Sequence, residues 1–110
     1  MRVLITGSHG QLGNELKCLF ETGISEIGAI PELFVDSGVD YTDADELDIT
    51  SSEAVNTWFD QHDRYDLVIN CAAATNVDGC ESNFEMAFAV NALGPMNLAR
   101  ACSATQTKLV

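Results

Sequence analysis

The chain has 110 residues, of which 5 are basic and 17 are acidic, and its net charge is −12 at neutral pH. A chain this acidic is repelled by nucleic acid and by anionic membrane surfaces, which argues against both as partners. The length allows at most one domain, and the apolar stretches are too short to cross a bilayer and form no secretory leader, so the sequence predicts a cytoplasmic globular protein.

The first elements along the chain are predicted to be a strand, a tight turn and a helix. Residues 2–6 are a short β-branched, apolar run that is typical of a buried parallel strand. Apolar residues then recur with helical spacing at Leu12, Leu16, Leu19 and Phe20. Gly23 follows them and can end the helix.

Three glycines lie between this strand and this helix, in the spacing Gly-x-x-Gly-x-x-Gly. Gly7 can take the positive φ angle of a sharp turn, Gly10 lets a pyrophosphate approach the backbone, and Gly13 lets the helix pack close to the strand. The N–H groups and the positive dipole end of the helix then face the phosphate. The stretch therefore predicts dinucleotide binding. Because no Gly-Lys-Ser/Thr follows, an ATP-type phosphate loop is not expected.

The next part of the chain contains three candidate strands. Residues 33–36 and residues 39–43 compete for the second strand, with a Ser-Gly turn between them. Residues 46–49 are predicted to form a short third strand or its exit.

An acidic residue at the end of the second strand is the expected partner of the adenosine ribose in a dinucleotide-binding fold. Asp43 is our first candidate and Asp36 the second, although either one could be an ordinary turn aspartate. No arginine lies near them to pair with a 2′-phosphate, which favours NADH, but Lys17 and His9 could partly replace it.

A helix is predicted after a capping box formed by Thr50 and Glu53. Its apolar face carries Val55, Trp58 and Phe59, and it should run to about His62. His62 is interpreted as a favourable charge at the carboxyl end of this helix and not as a catalyst.

The next buried strand is predicted at residues 66–71. Small residues follow it directly, at Ala72, Ala73, Ala74 and Thr75. Small residues beyond the carboxyl end of a strand let a cofactor or substrate lie against the backbone, although a tightly packed loop without a ligand would have the same composition.

The last part of the chain is predicted to be helical. A helix from about Ser82 is expected to carry apolar side chains inward at Phe84, Ala87, Phe88, Leu98 and Cys102. Pro95 predicts a kink or a new helical segment between Asn91 and Gly94. Residues 108–110 resemble the beginning of another strand.

The four cysteines, Cys18, Cys71, Cys80 and Cys102, include no C-x-x-C pair and have no histidine at ligand spacing. We therefore expect neither a disulfide framework nor a metal site. Most of these cysteines are expected to be small buried hydrophobic residues.

Several motifs recur together along nearly the whole chain. They are Ile-Thr-Gly-Ser-His-Gly-Gln-Leu-Gly at 5–13, Glu-Leu at 15–16, Glu-Leu-Asp-Ile-Thr at 46–50, Val-Ile-Asn-Cys-Ala-Ala-Ala-Thr at 68–75, Val-Asp at 77–78, Glu81, and Asn-Ala at 91–92. This combination resembles the dTDP-4-dehydrorhamnose reductases of the extended short-chain dehydrogenase/reductase superfamily. The resemblance implies an α/β fold with a Rossmann-like, doubly wound parallel sheet, of which residues 1–110 are the N-terminal NAD(P)-binding part, truncated at the start of the fifth strand.

The resemblance also implies a cofactor, NADH or NADPH, and the residues that contact it. It places the pyrophosphate at Gly10, Gln11 and Leu12, the ribose at Asp43, the adenine at Asp48 and Ile49, and the path to the nicotinamide at Ala73, Ala74 and Thr75. Together with the turn residues, the cofactor-binding candidates are Gly7, His9, Gly10, Gln11, Leu12, Gly13, Asp43, Asp48, Ile49, Ala72, Ala73, Ala74 and Thr75.

The implied reaction reduces the 4-keto group of dTDP-4-dehydro-6-deoxy-L-mannose to give dTDP-L-rhamnose for surface polysaccharide. The superfamily needs Tyr-x-x-x-Lys for this step, in which the tyrosine donates a proton and the lysine lowers its pKa. Tyr41 is followed four residues on by Asp45, and Tyr65 by Ile69, so neither fits. The catalytic residues and the dTDP-sugar site are therefore expected beyond Val110, and this stretch alone is expected to be inactive.

Two alternative functions share the fold. One is a nucleotide-sugar epimerase or dehydratase of the same superfamily. The other is a non-catalytic subunit similar to the regulatory beta subunit of methionine adenosyltransferase, which binds a partner. A homodimer is left open for the complete protein.

Overall fold

The structure, a computed structural model, describes residues 1–25, 28–29, 38–72 and 88–110. Within these ranges the strands are β1 (Arg2–Thr6), β2 (Ile24–Ser25), β3 (Gly28–Ala29), β4 (Gly38–Tyr41), β5 (Leu67–Asn70) and β6 (Lys108–Leu109). The α-helices are α1 (Gln11–Thr22), α2 (Ser52–Gln61) and α3 (Gly94–Thr105), and a π-helical turn (Ala89–Leu93) leads into α3.

Four of the strands form one parallel sheet in the order β4-β1-β5-β6, while β2 and β3 form a separate antiparallel pair. β1 lies inside the sheet, with Val3 opposite Val39 on one side and Leu67 on the other. Parallel neighbours need crossover connections, and α3 lies between the neighbouring strands β5 and β6 in the chain, as a crossover helix does. The predicted α/β, Rossmann-like parallel sheet is confirmed.

Successive residues of β1 point to opposite faces of this sheet, and both faces are covered. Val3 lies in a hydrophobic cluster against which Leu16 of α1 packs. Leu4 lies in a second cluster, together with Val55 of α2 and Leu98 of α3. The sheet is therefore the middle of three layers, with α1 on one side and α2 and α3 on the other.

The predicted third strand at residues 46–49 is wrong. The N–H groups of Glu46 and Leu47 both donate to the carbonyl of Asp43 at 2.9 Å, which closes a turn. Leu47 and Ile49 are nonetheless buried, so the alternating apolar pattern marks two core contacts made from a turn. As a result, β6 is the fourth strand of this sheet among the described residues, and not the fifth.

The helix after this turn begins one residue later than predicted. Ser51 is the N-cap of α2, and its hydroxyl accepts a 3.1 Å hydrogen bond from the N–H of Ala54. The predicted cap, Thr50, instead donates its N–H and its hydroxyl to Asp48 Oδ1. The carboxyl end agrees with the prediction, because α2 ends at Gln61 and His62 is its C-cap.

The last helical segment confirms one prediction and corrects another. α3 begins at Gly94 with Pro95 in its first turn, in agreement with the predicted new segment. Leu98 and Cys102 are buried as predicted, but Phe88 is 53% exposed. A π-helical turn lies between Phe88 and α3, and such a turn contains more residues than a turn of α-helix. The α-helical spacing that predicted Phe88 and Leu98 on the same face therefore does not hold across it.

Several predicted features lie outside the described residues, so the structure does not test them. They are the strand at residues 33–36 with Asp36, the small residues Ala73, Ala74 and Thr75, the helix start near Ser82, the inward positions of Phe84 and Ala87, and Cys80. The second candidate for strand two is described, and β4 confirms it with the bounds Gly38–Tyr41.

Candidate functional site

The glycine turn lies at the carboxyl edge of the sheet, between the segments that follow β4 and β5. The N–H of Ser8 donates to the carbonyl of Thr42 at 2.9 Å, which fixes the turn to the end of β4. On the other side, a Cβ added at Gly7 would lie 2.5 Å from the backbone nitrogen of Ala72, just after β5. Open α/β sheets bind ligands at this edge, and β1 brings the turn there.

Two of the three glycines are required by the backbone itself. Gly7 has a φ angle of +66°, which confirms the predicted positive φ. A Cβ added at Gly13 would lie 2.5 Å from the carbonyl oxygen of Gly7 and 2.6 Å from the Cα of Ser8. Gly13 thus lets α1 pack closely, but against the turn, whereas the sequence predicted contact with the strand.

Gly10 differs from the other two glycines because the fold does not need it. Its φ angle is −75°, and an added Cβ would meet only the Gly7 carbonyl oxygen, at 3.4 Å. Gly10 is the N-cap of α1, where serine, threonine, aspartate and asparagine are the usual residues. No side chain among the described residues caps this helix, and its first turn has no acidic residue. The N–H groups at the start of α1 are thus left for an anion.

The first residues of α1 beside this turn are exposed. Leu12 is 56% exposed, which corrects its predicted place on the inward face of the helix. Leu16 and Phe20, one and two turns later, do pack on the sheet. The inward face therefore begins at the second turn of α1, whereas Gln11 and Leu12 are exposed beside the glycine turn.

Asp43 lies against the glycine turn, and its contact with a ribose stays a prediction. Its Oδ2 lies 3.1 Å from Nδ1 of His9 and accepts a 3.3 Å hydrogen bond from the N–H of His9. Its Oδ1 accepts a 2.8 Å hydrogen bond from the N–H of Ala44. The structure thus brings together two predicted site residues from separate parts of the chain.

Asp48 and Ile49 make hydrogen bonds that hold the fold together. Asp48 Oδ1 accepts hydrogen bonds from the N–H and the hydroxyl of Thr50, at 3.0 and 2.6 Å, just ahead of α2. The carbonyl of Ile49 accepts a 2.9 Å hydrogen bond from Asn97 of α3, and the Ile49 side chain is buried. Their contact with the adenine stays a prediction.

One pair of positioning residues was missed by the sequence reasoning. The Thr6 hydroxyl donates to Asn70 Oδ1 at 2.6 Å, and the N–H of Ala72 donates to the same oxygen at 3.1 Å. The N–H of Cys71 donates to the carbonyl of Thr6 at 3.0 Å. These bonds fix the backbone of Cys71 and Ala72 directly after β5. The available signal was a polar residue at the last position of each strand.

The position of Tyr65 agrees with its failure to fit the catalytic motif. It precedes β5, at the edge of the sheet opposite the glycine turn, and it is 1% exposed. Its hydroxyl donates to Asp40 Oδ2 at 2.6 Å and accepts from Trp58 Nε1 at 3.0 Å. Burial, and next the hydrogen bond to Asp40, raise the pKa of Tyr65. This tyrosine is a core residue.

The described cysteines and acidic residues form no metal site. Within the described ranges, no group of three or more histidine, cysteine, aspartate or glutamate side chains is arranged to hold a metal. Cys102 is buried and Cys71 half-buried, and burial raises the pKa of both thiols. Cys18 is exposed on α1, unlike the burial expected for most of the cysteines. No helix in the same ranges is long and apolar enough to cross a membrane.

A groove of about 480 Å³ lies elsewhere, along α2. Its walls include Glu46, Glu53 and Trp58, and none of the predicted cofactor-binding residues. It is therefore separate from the glycine turn.

The chain is similar in sequence to a known protein family and to several of its members. Residues 1–110 match the family described as "RmlD substrate binding domain". The chain is 42% identical over 105 residues to a probable low-salt glycan biosynthesis reductase of Haloferax volcanii, covering 93% of this chain and 33% of the relative. It is 38% identical over 109 residues to a dTDP-4-dehydrorhamnose reductase of Mycobacterium tuberculosis, covering 99% of this chain and 31% of the relative.

Solved structures of dTDP-4-dehydrorhamnose reductases also resemble this chain. The dTDP-4-dehydrorhamnose reductase of Clostridium acetobutylicum superposes with a TM-score of 0.83 at 38% identity, over 99% of this chain and 34% of that one. The dTDP-4-dehydrorhamnose reductase of Bacillus anthracis, solved in complex with NADP, has a TM-score of 0.77 at 33% identity, over 98% of this chain and 34% of that one. The chain spans about a third of the length of the relatives that it matches.

Proposed function

Because the chain belongs to the RmlD family, the family of the dTDP-4-dehydrorhamnose reductases, we propose that it is the NAD(P)-binding part of such a reductase. The complete protein would transfer a hydride from NADH or NADPH to the 4-keto group of dTDP-4-dehydro-6-deoxy-L-mannose, giving dTDP-L-rhamnose. The observation that carries the proposal is the uncapped start of α1, held by the glycine turn between the ends of β4 and β5.

The residues around this turn fit a dinucleotide. Gly10 presents backbone without a side chain, and the first N–H groups of α1, from Gln11 onward, would bind the pyrophosphate. Asp43 would accept hydrogen bonds from the adenosine ribose, since it lies beside the turn at the end of β4. The NADP bound by the Bacillus anthracis relative supports the same class of cofactor here.

The nicotinamide would lie further along the carboxyl edge, beyond β5. Ala72 follows β5 directly and its N–H is fixed by Asn70, and Ala73, Ala74 and Thr75 come next in the sequence. In this proposal their small side chains line the path to the nicotinamide ring. The cofactor would supply the hydride when bound, and this part of the protein would bind and orient the cofactor.

The proton donor is assigned to residues outside this chain. Neither Tyr41 nor Tyr65 has a lysine four residues later, and Tyr65 lies at the opposite edge of the sheet. The chain alone would therefore bind cofactor without reducing a keto sugar. The dTDP-sugar site, a cytoplasmic location and a homodimer belong to the same proposal for the complete protein.

The direct test is the full-length protein mixed with NADPH or NADH and dTDP-4-dehydro-6-deoxy-L-mannose. We expect oxidation of the cofactor, followed by absorbance, and formation of dTDP-L-rhamnose, identified by chromatography against a standard. Cofactor binding without oxidation would favour a regulatory subunit, and a different sugar product would favour an epimerase or dehydratase. Failure to bind either cofactor would overturn the proposal.

A matched pair of glycine variants tests the residues at the turn. Gly10→Ala adds a methyl group where the fold leaves room, so the protein should fold but bind cofactor about tenfold more weakly. Gly38→Ala adds the same group at the start of β4, where nothing lies within 4 Å, and should leave binding unchanged. Equal affinities of the two variants for NADPH, measured by calorimetry, would contradict the assignment of Gly10.

A further inference from the structure

We propose that His9 is the residue that lets the ribose site accept a 2′-phosphate, so that the protein binds NADP(H) as well as NAD(H). The proposal rests on the proposed function, because it concerns the same cofactor site. It begins from one contact. A single oxygen of Asp43, Oδ2, faces both the backbone N–H and the ring nitrogen Nδ1 of His9.

The contact fixes how the imidazole is used. An ionised carboxylate can only accept hydrogen bonds, so Nδ1 of His9 carries the proton in the 3.1 Å contact with Asp43. The other ring nitrogen, Nε2, points away from this contact, and it can donate to an anion when the ring is the doubly protonated imidazolium. The His9 side chain is 69% exposed, which leaves room for a ligand at the ring.

The two forms of the cofactor make opposite demands on Asp43. A 2′-hydroxyl is a donor and needs a carboxylate oxygen that can accept, which Oδ1 can still do beside its bond from Ala44, since each oxygen accepts about two hydrogen bonds. A 2′-phosphate is itself an anion and would be repelled by a bare carboxylate. The His9 ring lies against Oδ2, so as an imidazolium it would offset the carboxylate charge, and its Nε2–H would donate to the phosphate.

Two other cations of the described residues make contacts elsewhere. Lys17, the second candidate from the sequence, places its Nζ 5.4 Å from the centre of the Tyr41 ring. Arg64 donates to the carbonyls of Thr105 and Gln106, at the carboxyl end of α3. Among the ion pairs of the described residues, the one that includes Asp43 is the pair with His9. The structure thus selects His9 over Lys17.

The test measures binding to the full-length protein by calorimetry, with adenosine 2′,5′-bisphosphate and 5′-AMP as probes that differ in the 2′-phosphate alone. His9→Asn keeps a donor near Asp43 but removes the ring and the second ring nitrogen that would donate to the phosphate. It should weaken the bisphosphate about five- to tenfold and change 5′-AMP by less than about twofold. His9→Lys should restore most of the bisphosphate affinity, because it returns a cation to the same position.

His62→Asn is the matched control, because its ring lies at the end of α2, 2.7 Å from the carbonyl of Trp58, and should change neither affinity. If His9→Asn weakens both probes equally or neither, His9 does not read the 2′-phosphate and the inference is wrong. If the unaltered protein binds 5′-AMP but not the bisphosphate, the inference also fails while the proposed function stands. If it binds neither probe and neither NADH nor NADPH, the proposed function fails first.

Discussion

The hydroxyl of Thr6 and the side-chain oxygen of Asn70 are joined by a 2.6 Å hydrogen bond between the last residues of β1 and β5. The two residues are 64 positions apart in the chain. Because Asn70 Oδ1 also accepts from the N–H of Ala72, this one oxygen aligns both strand ends with the segment that follows.

Replacing Thr6 by valine keeps the shape of the side chain and removes its hydroxyl. We expect the free energy of unfolding of the full-length protein to fall by about 1 to 2 kcal/mol, because Thr6 is buried and Asn70 loses a partner. Cofactor affinity should fall with it. Thr6→Ser, which keeps the hydroxyl, is the control in both urea unfolding and calorimetry. Equal losses in the valine and serine variants would contradict the role of the hydrogen bond.

Alanine substitutions at Gly7 and Gly23, two glycines with a positive φ angle, should lower the free energy of unfolding by different amounts. Gly7→Ala combines a strained φ of +66° with a clash against Ala72, and we expect a loss of about 3 kcal/mol or more. Gly23→Ala has a similar φ of +71° but nothing within 4 Å, so it should cost only about 1 kcal/mol. Urea unfolding compares the two. Similar costs would mean that the close approach of Gly7 to Ala72 is not tight in solution.

Stability at alkaline pH should depend on Tyr65. Its pKa in the folded protein is raised, so the folded state holds the phenol proton more tightly than the unfolded state does. The resulting stabilisation is complete below the ordinary tyrosine pKa of about 10 and is lost as the pH rises above it. The unfolding free energy should therefore fall between about pH 9 and pH 11.

Tyr65→Phe isolates this effect. At neutral pH it should cost about 1 to 2 kcal/mol, because Asp40 and Trp58 lose a hydrogen-bond partner. Above the ordinary tyrosine pKa its stability should fall less steeply than that of the unaltered protein. Some slope will remain, since burial and then Glu21 also raise the pKa of Tyr41. An unchanged slope in urea titrations across this pH range would count against the assignment to Tyr65.

Gly94 and Ile49 should be coupled in stability. A Cβ added at Gly94 would lie 2.5 Å from Cδ1 and 2.8 Å from Cγ1 of Ile49, so Gly94→Ala should cost about 1 to 3 kcal/mol. Ile49→Ala removes both of those atoms. In that background the same alanine should be neutral or stabilising, because glycine is a poor helix former. Additive losses in this double-mutant cycle would contradict the contact.

What the sequence could predict was local. The strand, the glycine turn and the start of α1 depend on neighbouring residues, and the positive φ of Gly7 and the end of α1 at Gly23 agree with the prediction. Errors arose where a short sequence pattern is compatible with two different local structures. Leu47 and Ile49 alternate as in a strand, yet both reach the core from a turn. Asp48 competes for Thr50 and so moves the helix cap to Ser51.

Site contacts between distant residues could be anticipated only where the fold implies them. Asp43 was predicted from its place after a strand, and β4 does end just before it, whereas Asp36 lies outside the described residues, so the choice between them stays a prediction. The bond from Thr6 to Asn70 depends on the register of two strands far apart in the chain, which no local pattern specifies. The exposure of Phe88 depends on a π-helical turn that shifts the helical phase.

The position of β1 inside the sheet has a consequence for how the protein forms during synthesis. β1 is made first among these strands, yet its partner β4 begins at Gly38 and its other partner β5 only at Leu67. Pairings this distant form slowly, because long loops must close before any contact is gained. The apolar β1 therefore leaves the ribosome well before the strands that pair with its two edges, while α1, the next element made, can already cover one face of it.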